Sequence, residues 1–493
     1  MDSAIGSTSA VPTAEEAAAP VSRLVLWLAL LVLLAIPARV ITLGYLPADD
    51  ALRHAAKAVS GKSWSEILVL GPHYTVDHNY GWEALLRGVH RVSGWDAERL
   101  VDWSVLGLFV LASGAGLLGV RRPEAWLGVL LVFFVAWPPL AGRWMNGRPL
   151  LLSVAVLMVL LFWVQAHAGS PLSRGRLAAW TVLIGLAVWM HGVWYLWALP
   201  VAACWLAGER RLALGLAGAW LGGSVLAAGA TGQPVDYLVE AVRTAVRAIQ
   251  MHPTARTRVS ELQPASSGLV LFLVLGGLLI LRELARLEAR PFTRQPAFWM
   301  AALGWTLGFL NRRFWDDWGL PALMVLAAGD LDRYLRLALD SAATRRWALA
   351  ACLAGALFCV VTSDVDSRWT RSLSRQYLVQ NDPELAGWLP EPGGIFYAAD
   401  PAFFYETFFK NPRAEWRYIL GFEMTLMPAE DFQILYRILW NYGAAAGYRP
   451  WVEKLRPADR LFVRGDPGSP PPIAGLEWHH TRGGMWSGRR PRN

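Results

Sequence analysis

The chain has 493 residues, 55% of them hydrophobic, a formal net charge of +8 and a mean hydropathy of +0.32. A soluble protein of this length divides into domains with alternating polar faces; here the apolar residues fall in long runs, which excludes an ordinary soluble enzyme. The positive balance does not point to nucleic acid either, because the basic residues sit mostly in loops between apolar runs, as orientation in a membrane requires.

Residues 1–20 are rich in Ala, Ser and Thr without periodic apolar positions, and a disordered tail is expected there. The first apolar run, 24–46, holds Arg39 as its only charge, and a bilayer takes about 20 helical residues to cross. The run is too long for a cleavable signal, and others follow it. After a polar outer loop at 47–100, spans are expected near 101–120, 125–141 and 149–166. The stretch 177–207 is too long for one crossing and is interrupted at Met190-His191-Gly192-Val193, so two crossings with a turn at His191 are expected. Further spans are expected near 212–230, 268–281, 297–310, 318–328 and 347–362, which makes about ten or eleven crossings in all.

With the N-terminus in the cytoplasm, the inner loops carry Arg121-Arg122, Arg174 and Arg176, Arg210-Arg211, and the basic stretches at 282–294 and 333–346. That distribution follows the positive-inside bias, and treating 177–207 as one helix would invert it. Tryptophans near the ends of runs (Trp103, Trp126, Trp137, Trp144, Trp180, Trp194, Trp205, Trp318 and Trp347) read as an interfacial belt. The cysteines Cys204, Cys352 and Cys359 read as small apolar core residues. The last two stand about 10 Å apart along one helix, too far for a disulfide.

Two loop segments, 49–60 and 236–250, have amphipathic helical periodicity and are expected to lie along the outer membrane surface. From residue 364 the composition changes. Strands are expected at 394–398, 416–420 and 460–463, and helices at 401–409 and 429–442. The expected fold is therefore mainly α: a polytopic membrane helix bundle over 21–363, then a small C-terminal α/β domain over 364–464 on the outer face. Residues 465–493, rich in Pro, Gly and Arg, are expected to form a loose basic tail.

Candidate chemistry concentrates in the outer loops. Asp49-Asp50 follows the first run, and charges at a membrane boundary facing a cavity are functional candidates. One Asp would suffice to cap a helix, while two adjacent ones crowd like charge; the residues alone leave capping and catalysis open. Asp50 and His54, like Asp49 and Arg53, are spaced to share a helical face. His73, Asp77 and His78 form a cluster that could hold a divalent metal or position a polar substrate, although the spacing fits no strong metal motif. His191 sits at the outward bend, where a packing role and a hydrogen bond to a headgroup or acceptor are both open. Arg312 and Arg313 precede Asp316 and Asp317 at spacings that allow mutual neutralisation. The alternative is a phosphate clamp, joined by Arg143, Arg148, Arg256 and Arg258, because guanidinium forks bind phosphate oxygens in pairs.

These residues resemble the GT-C glycosyltransferases, membrane enzymes that take sugars from polyprenyl-phosphate donors. The likeness rests on the acidic pair Asp49-Asp50, the long first outer loop with its stretch from Thr75 to Val101, the Asn146-Gly147-Arg148-Pro149 segment that opens a later span, and the outward α/β tail. The resemblance implies that Asp49 or Asp50 is the general base on an acceptor hydroxyl, and that outer arginines stabilise the departing lipid phosphate in an inverting displacement. It leaves a divalent metal open. Scarce Lys with abundant Ala, Arg and Trp fits a bacterial inner-membrane protein, whose outer C-terminal domain would then be periplasmic; the resemblance implies a lipid or glycan acceptor. A lipid or saccharide transporter and a non-catalytic assembly factor are the competing readings. Transport needs ionisable groups near mid-membrane, and the expected spans are nearly free of central charge.

Overall fold

A computed structural model describes residues 14–72, 74, 76–170, 173–250, 263–265, 269–339, 343–481 and 484–491, without the side chains of 14–21 and 248–250. The chain is mainly helical, at 67%, with a small C-terminal sheet. Helix α1 is Ala14–Thr42, α2 Asp50–Ser60, α3 Tyr80–Ser93, α4 Ala97–Ala115, α5 Pro123–Ala136, α6 Pro139–Met145, α7 Leu150–Ala166, α8 Arg174–Met190 and α9 Ala198–Leu206. Then follow α10 (Arg210–Gly229), α11 (Pro234–Gln250), α12 (Leu269–Leu284), α13 (Pro296–Gly308), α14 (Leu320–Leu339) and α15 (Ala343–Thr362).

Among the described residues, four helices are long and apolar enough to cross a membrane: Ser22–Thr42, Ala97–Leu118, Arg210–Gly229 and Ala343–Thr362. A fifth arises if α5 and α6, bent by 112° at a break beside Pro138 and Pro139, form one span. This is fewer than the ten or eleven expected from apolar runs. The difference is one of length and charge. Helices α7, α12 and α13 have 17, 16 and 13 residues, and α14 carries Asp330, Asp332 and Arg333 in its second half. The expected interruption at His191 is present: α8 ends at Met190 and a short turn, Trp194–Trp197, leads into α9.

Trp126, Trp144, Trp180 and Trp318, expected in the interfacial belt, are buried inside the protein rather than facing outward. Cys352 and Cys359, read as core residues, point out of the bundle, and only Cys204 is buried. Helices α8 and α10 approach backbone to backbone: a Cβ added to Gly223 would stand 2.6 Å from the Thr181 carbonyl.

The C-terminal part contains α16 (Pro401–Lys410), α17 (Ala429–Trp440) and α18 (Ala445–Lys454), with β1 (Ile395–Ala398), β2 (Arg417–Tyr418), β3 (Arg460–Arg464), β4 (Glu477–Thr481) and β5 (Met485–Arg489). The strands form one sheet in the order β2-β1-β3-β5-β4, with β1 parallel to β2 and β3 and the last two antiparallel. The segment beyond Gly465 is therefore not loose throughout. Its short runs of strand-forming residues are separated by Gly and Pro, which hid their periodicity in the composition. Neither does this part stand apart from the bundle. Leu68 of the first loop bridges Tyr418 in parallel, and Val69 donates to the Tyr418 carbonyl at 2.9 Å. Helix α2 is enclosed between α16 and the bundle, with Ala51 to Ala58 all buried, and so does not lie along a surface. Helix α11 keeps an outward apolar stripe of Val235, Val239, Val242 and Val246.

Candidate functional site

The acidic pair is fixed from both sides of the chain. After α1, Gly44 takes a positive φ of 84° and turns the backbone. The Ser372 hydroxyl donates to the Gly44 carbonyl at 3.0 Å and accepts from Leu46 N at 3.1 Å, and Arg375 donates to the Pro47 carbonyl at 2.7 Å. Asp49 then precedes α2, and its Oδ1 accepts from the Asp50 amide at 2.7 Å. A capping contact is thus present, but it uses only one oxygen of one carboxylate.

The remaining oxygens meet guanidinium groups. Arg148 binds Asp49 through Nη2 and through Nε at 3.3 Å, and its Nε stands 3.6 Å from Asp50 Oδ2. Arg53 Nε donates to Asp50 Oδ1 at 2.8 Å. Within α2 the contact made is this i,i+3 pair, and His54 points toward Glu83, with Nδ1 at 3.3 Å from Oε1. Burial raises the Asp50 carboxyl, but Arg53, Arg148 and His54 outweigh it and hold the pKa well below the usual carboxylate range.

A second wall comes from the turns between other helices. The chain between α13 and α14 forms a wide π-turn at Trp315–Gly319, a geometry often found at functional sites. The backbone there is pressed against α13, since a Cβ on Gly304 would stand 2.5 Å from Gly319 Cα. The turn presents Asp316 and Asp317. Arg312 pairs with Asp316 at 2.8 Å as expected, and Asp317 is held by the fork of Arg143 at 2.5 and 2.6 Å. Burial raises the Asp316 carboxyl above its ordinary value, with Asp317 adding to the effect.

These residues border one cavity of about 720 Å³. It is lined by Asp49, Asp50, Arg53, Asp77, His78, Arg143, Arg148, His191, Arg312, Arg313, Asp316 and Asp317. They come from the C-terminal ends of α6, α8 and α13, from the segments before α2, α3, α7 and α14, and from the first turn of α2, at one end of the helices. His54 sits behind the lining, fully buried in α2. His73, Arg256 and Arg258 lie outside the described residues.

Sequence reasoning missed three contributors. Pro401, Tyr405 and Gly421 to Leu426 of the C-terminal part form another wall, and Phe422 stacks on the Arg53 guanidinium at 4.1 Å from the ring centre. Tyr195 lines the cavity beyond the His191 break. Glu83 lies beneath it, its carboxyl raised well above the ordinary value by burial and by Asp77. None carries a local signal, because each enters through contacts distant in sequence.

No group of His, Cys, Asp or Glu suited to a metal ion occurs among the described residues. Asp77, part of the cluster considered for a metal, is engaged by Trp64 Nε1 and by the Asn79 amide at 2.8 Å. Burial drives both His54 and His191 down to about 3, so these rings are neutral near neutrality. The arrangement can bind anions through guanidinium forks and can accept a proton on a carboxylate. Arg53, Arg143, Arg148 and Arg312 are each matched by a carboxylate, so an anion bound by any of them must exchange with that partner. No family model matches the chain, and no match is found among curated proteins.

Proposed function

We propose that this chain is a polytopic membrane glycosyltransferase of the GT-C type, moving a sugar from a polyprenyl-phosphate donor to a lipid or glycan acceptor. One observation carries the reading: an adjacent acidic pair and arginines from several helix ends border a single cavity at one end of the helices. The opposite end holds the Arg-rich turns, including Arg122, Arg282, Arg336 and Arg346, which supports a cytoplasmic face there and a periplasmic cavity.

In the proposed reaction, Asp49 or Asp50 takes the proton of the acceptor hydroxyl as its oxygen bonds to the anomeric carbon. The bond from that carbon to the phosphate oxygen breaks, and the polyprenyl phosphate leaves with the electron pair. A carboxylate held by guanidinium groups is a poor base. Exchange resolves this: the phosphate draws Arg148 away from Asp49 and Asp50, and the freed carboxylate recovers its basicity as the donor binds. Once exchanged on donor binding, the arginines already stand where charge develops on the leaving phosphate and lower the barrier to its departure.

Transfer measured in membranes with Asp49→Asn and Asp50→Asn tests the assignment. Loss of the base should lower the turnover of the folded fraction by about 10²–10⁴-fold, while Asp50→Asn also lowers the thermal midpoint because Arg53 loses its partner. If both single variants turn over at the wild-type rate, neither carboxylate is the base and the proposal is lost.

A further inference from the structure

Buried polar atoms in folded proteins are nearly all hydrogen-bonded, so a concentration of exceptions marks a place built for something else. Along one side of the cavity, Arg53 Nη1, Tyr74 Oη, His78 Nε2, Asn79 Oδ1 and His191 Nδ1 are buried without a hydrogen-bond partner among the described residues. Arg53 and Asn79 are themselves more than nine-tenths buried, at 4% and 9% exposure. The recess is held in shape by backbone contacts. Gly192 N donates to the His78 carbonyl at 2.8 Å, which fastens the His191 turn to the loop before α3. A Cβ on Gly81 would stand 2.5 Å from the Trp189 ring, so the start of α3 is seated directly on the end of α8.

The chemistry of these atoms is mixed. Arg53 donates, Asn79 Oδ1 accepts, and the tyrosine hydroxyl and imidazoles do either. A surface of alternating donors and acceptors suits a ring carrying several hydroxyls, each of which donates and accepts. It suits an acid sugar poorly, because Arg53 is already paired with Asp50 and the imidazole of His191 is neutral. Position adds the rest: His191 lies in the electrostatic field of Arg313, Asp50, His78 and Arg148, where the recess meets the arginine wall. The ring bonded directly to the phosphate must lie beside those arginines.

We infer that this recess is the subsite for the uncharged, polyhydroxyl sugar ring of the donor, bound through Arg53, Tyr74, His78, Asn79 and His191. This rests on the transferase reading above. The test uses the full-length protein in nanodiscs and saturation-transfer NMR with methyl glucoside, methyl mannoside and methyl galactoside, and methyl glucuronide as the charged control. At least one neutral glycoside should bind and be displaced by undecaprenyl-phosphate-linked mannose. Asn79→Leu and His191→Phe should each weaken it about tenfold, the scale of one lost buried hydrogen bond. The same samples are assayed for undecaprenyl phosphate by mass spectrometry, and its retention at wild-type levels reports that the variants are folded. Asn79→Gln, which keeps the acceptor, should restore part of the affinity. Absence of any glycoside signal, preference for the glucuronide, failure of the lipid-linked sugar to compete, or insensitivity to both variants overturns the subsite while leaving the transferase reading in place. Failure of undecaprenyl phosphate to bind the wild type overturns that reading instead.

Discussion

Asp50 and His54 stand four residues apart on one helix and respond to acid in opposite senses. The pairing of Asp50 with Arg53 holds its folded pKa below the unfolded one, so its stabilisation is present above the ordinary carboxylate pKa and fades as pH falls through the folded value. It therefore survives mild acid. His54 and His191, buried neutral with pKa about 3, cost stability sooner. Between about 6.5 and 3 the unfolded chain binds protons that the folded chain refuses, so each histidine removes about 1.4 kcal/mol per pH unit. Thermal midpoints measured from pH 7 to pH 4.5 should fall for the wild type, and His54→Gln should flatten that slope. A slope unchanged by the substitution would show that His54 is protonated in the folded protein. At this scale the sequence was legible where neighbours in the chain meet, as in Asp49-Asp50 or Arg312 with Asp316. It was silent on Arg143 with Asp317, partners 174 positions apart.

Helices were legible to the extent that burial follows periodicity. The break at His191 and the strands at 395–398 and 460–464 could be read from the residues, because each combines an apolar run with turn signals. Helix α2 misled: its amphipathic pattern is what a surface helix has, but here its polar face is covered by α16 and carries the buried Arg53, His54 and Lys57. The hairpin β4–β5 was hidden because its strands pair over a short distance inside a Gly- and Pro-rich segment. Contacts between elements suggest a direct check. Gly223 meets Thr181 and Gly185 of α8 with no room for a side chain, so Gly223→Leu must push α10 away. Overpacking of this kind costs about 1–3 kcal/mol, seen as a lower thermal midpoint; an unchanged midpoint would mean that the two helices do not pack this closely.

Across the whole molecule, ionised groups gather at two ends with an apolar middle between them. Opposite the cavity, Arg346 meets Glu124 at 2.7 Å with both side chains almost fully buried, Arg282 meets Asp330 at 2.6 Å, and Asp332 accepts from Arg122 N at 2.7 Å. Breaking a buried pair from one side leaves a charge uncompensated, at a cost of about 3–5 kcal/mol. Glu124→Ala should therefore reduce the yield of folded protein sharply, whereas exposed Arg449→Ala, whose partner Glu453 is solvated, should not. Equal yields would remove the bridge between α5 and α15 from the account. The side of the membrane is checked with Glu423→Cys at the cavity wall, in a background lacking the native cysteines. An impermeant thiol reagent should label it from outside intact cells, and labelling only after the cytoplasmic face is opened would reverse the orientation.

The central claim is that arginines at one end of the bundle receive a lipid phosphate. Native mass spectrometry of the purified protein measures this most directly, comparing wild type with an Arg143→Lys/Arg148→Lys double variant, which removes the forks but keeps Asp317 and Asp49 beside a cation. The account predicts a polyprenyl phosphate adduct on the wild type, reduced about tenfold or more when the two guanidinium forks are removed. A wild type that never carries the lipid, or a double variant that holds it equally well, would contradict the claim.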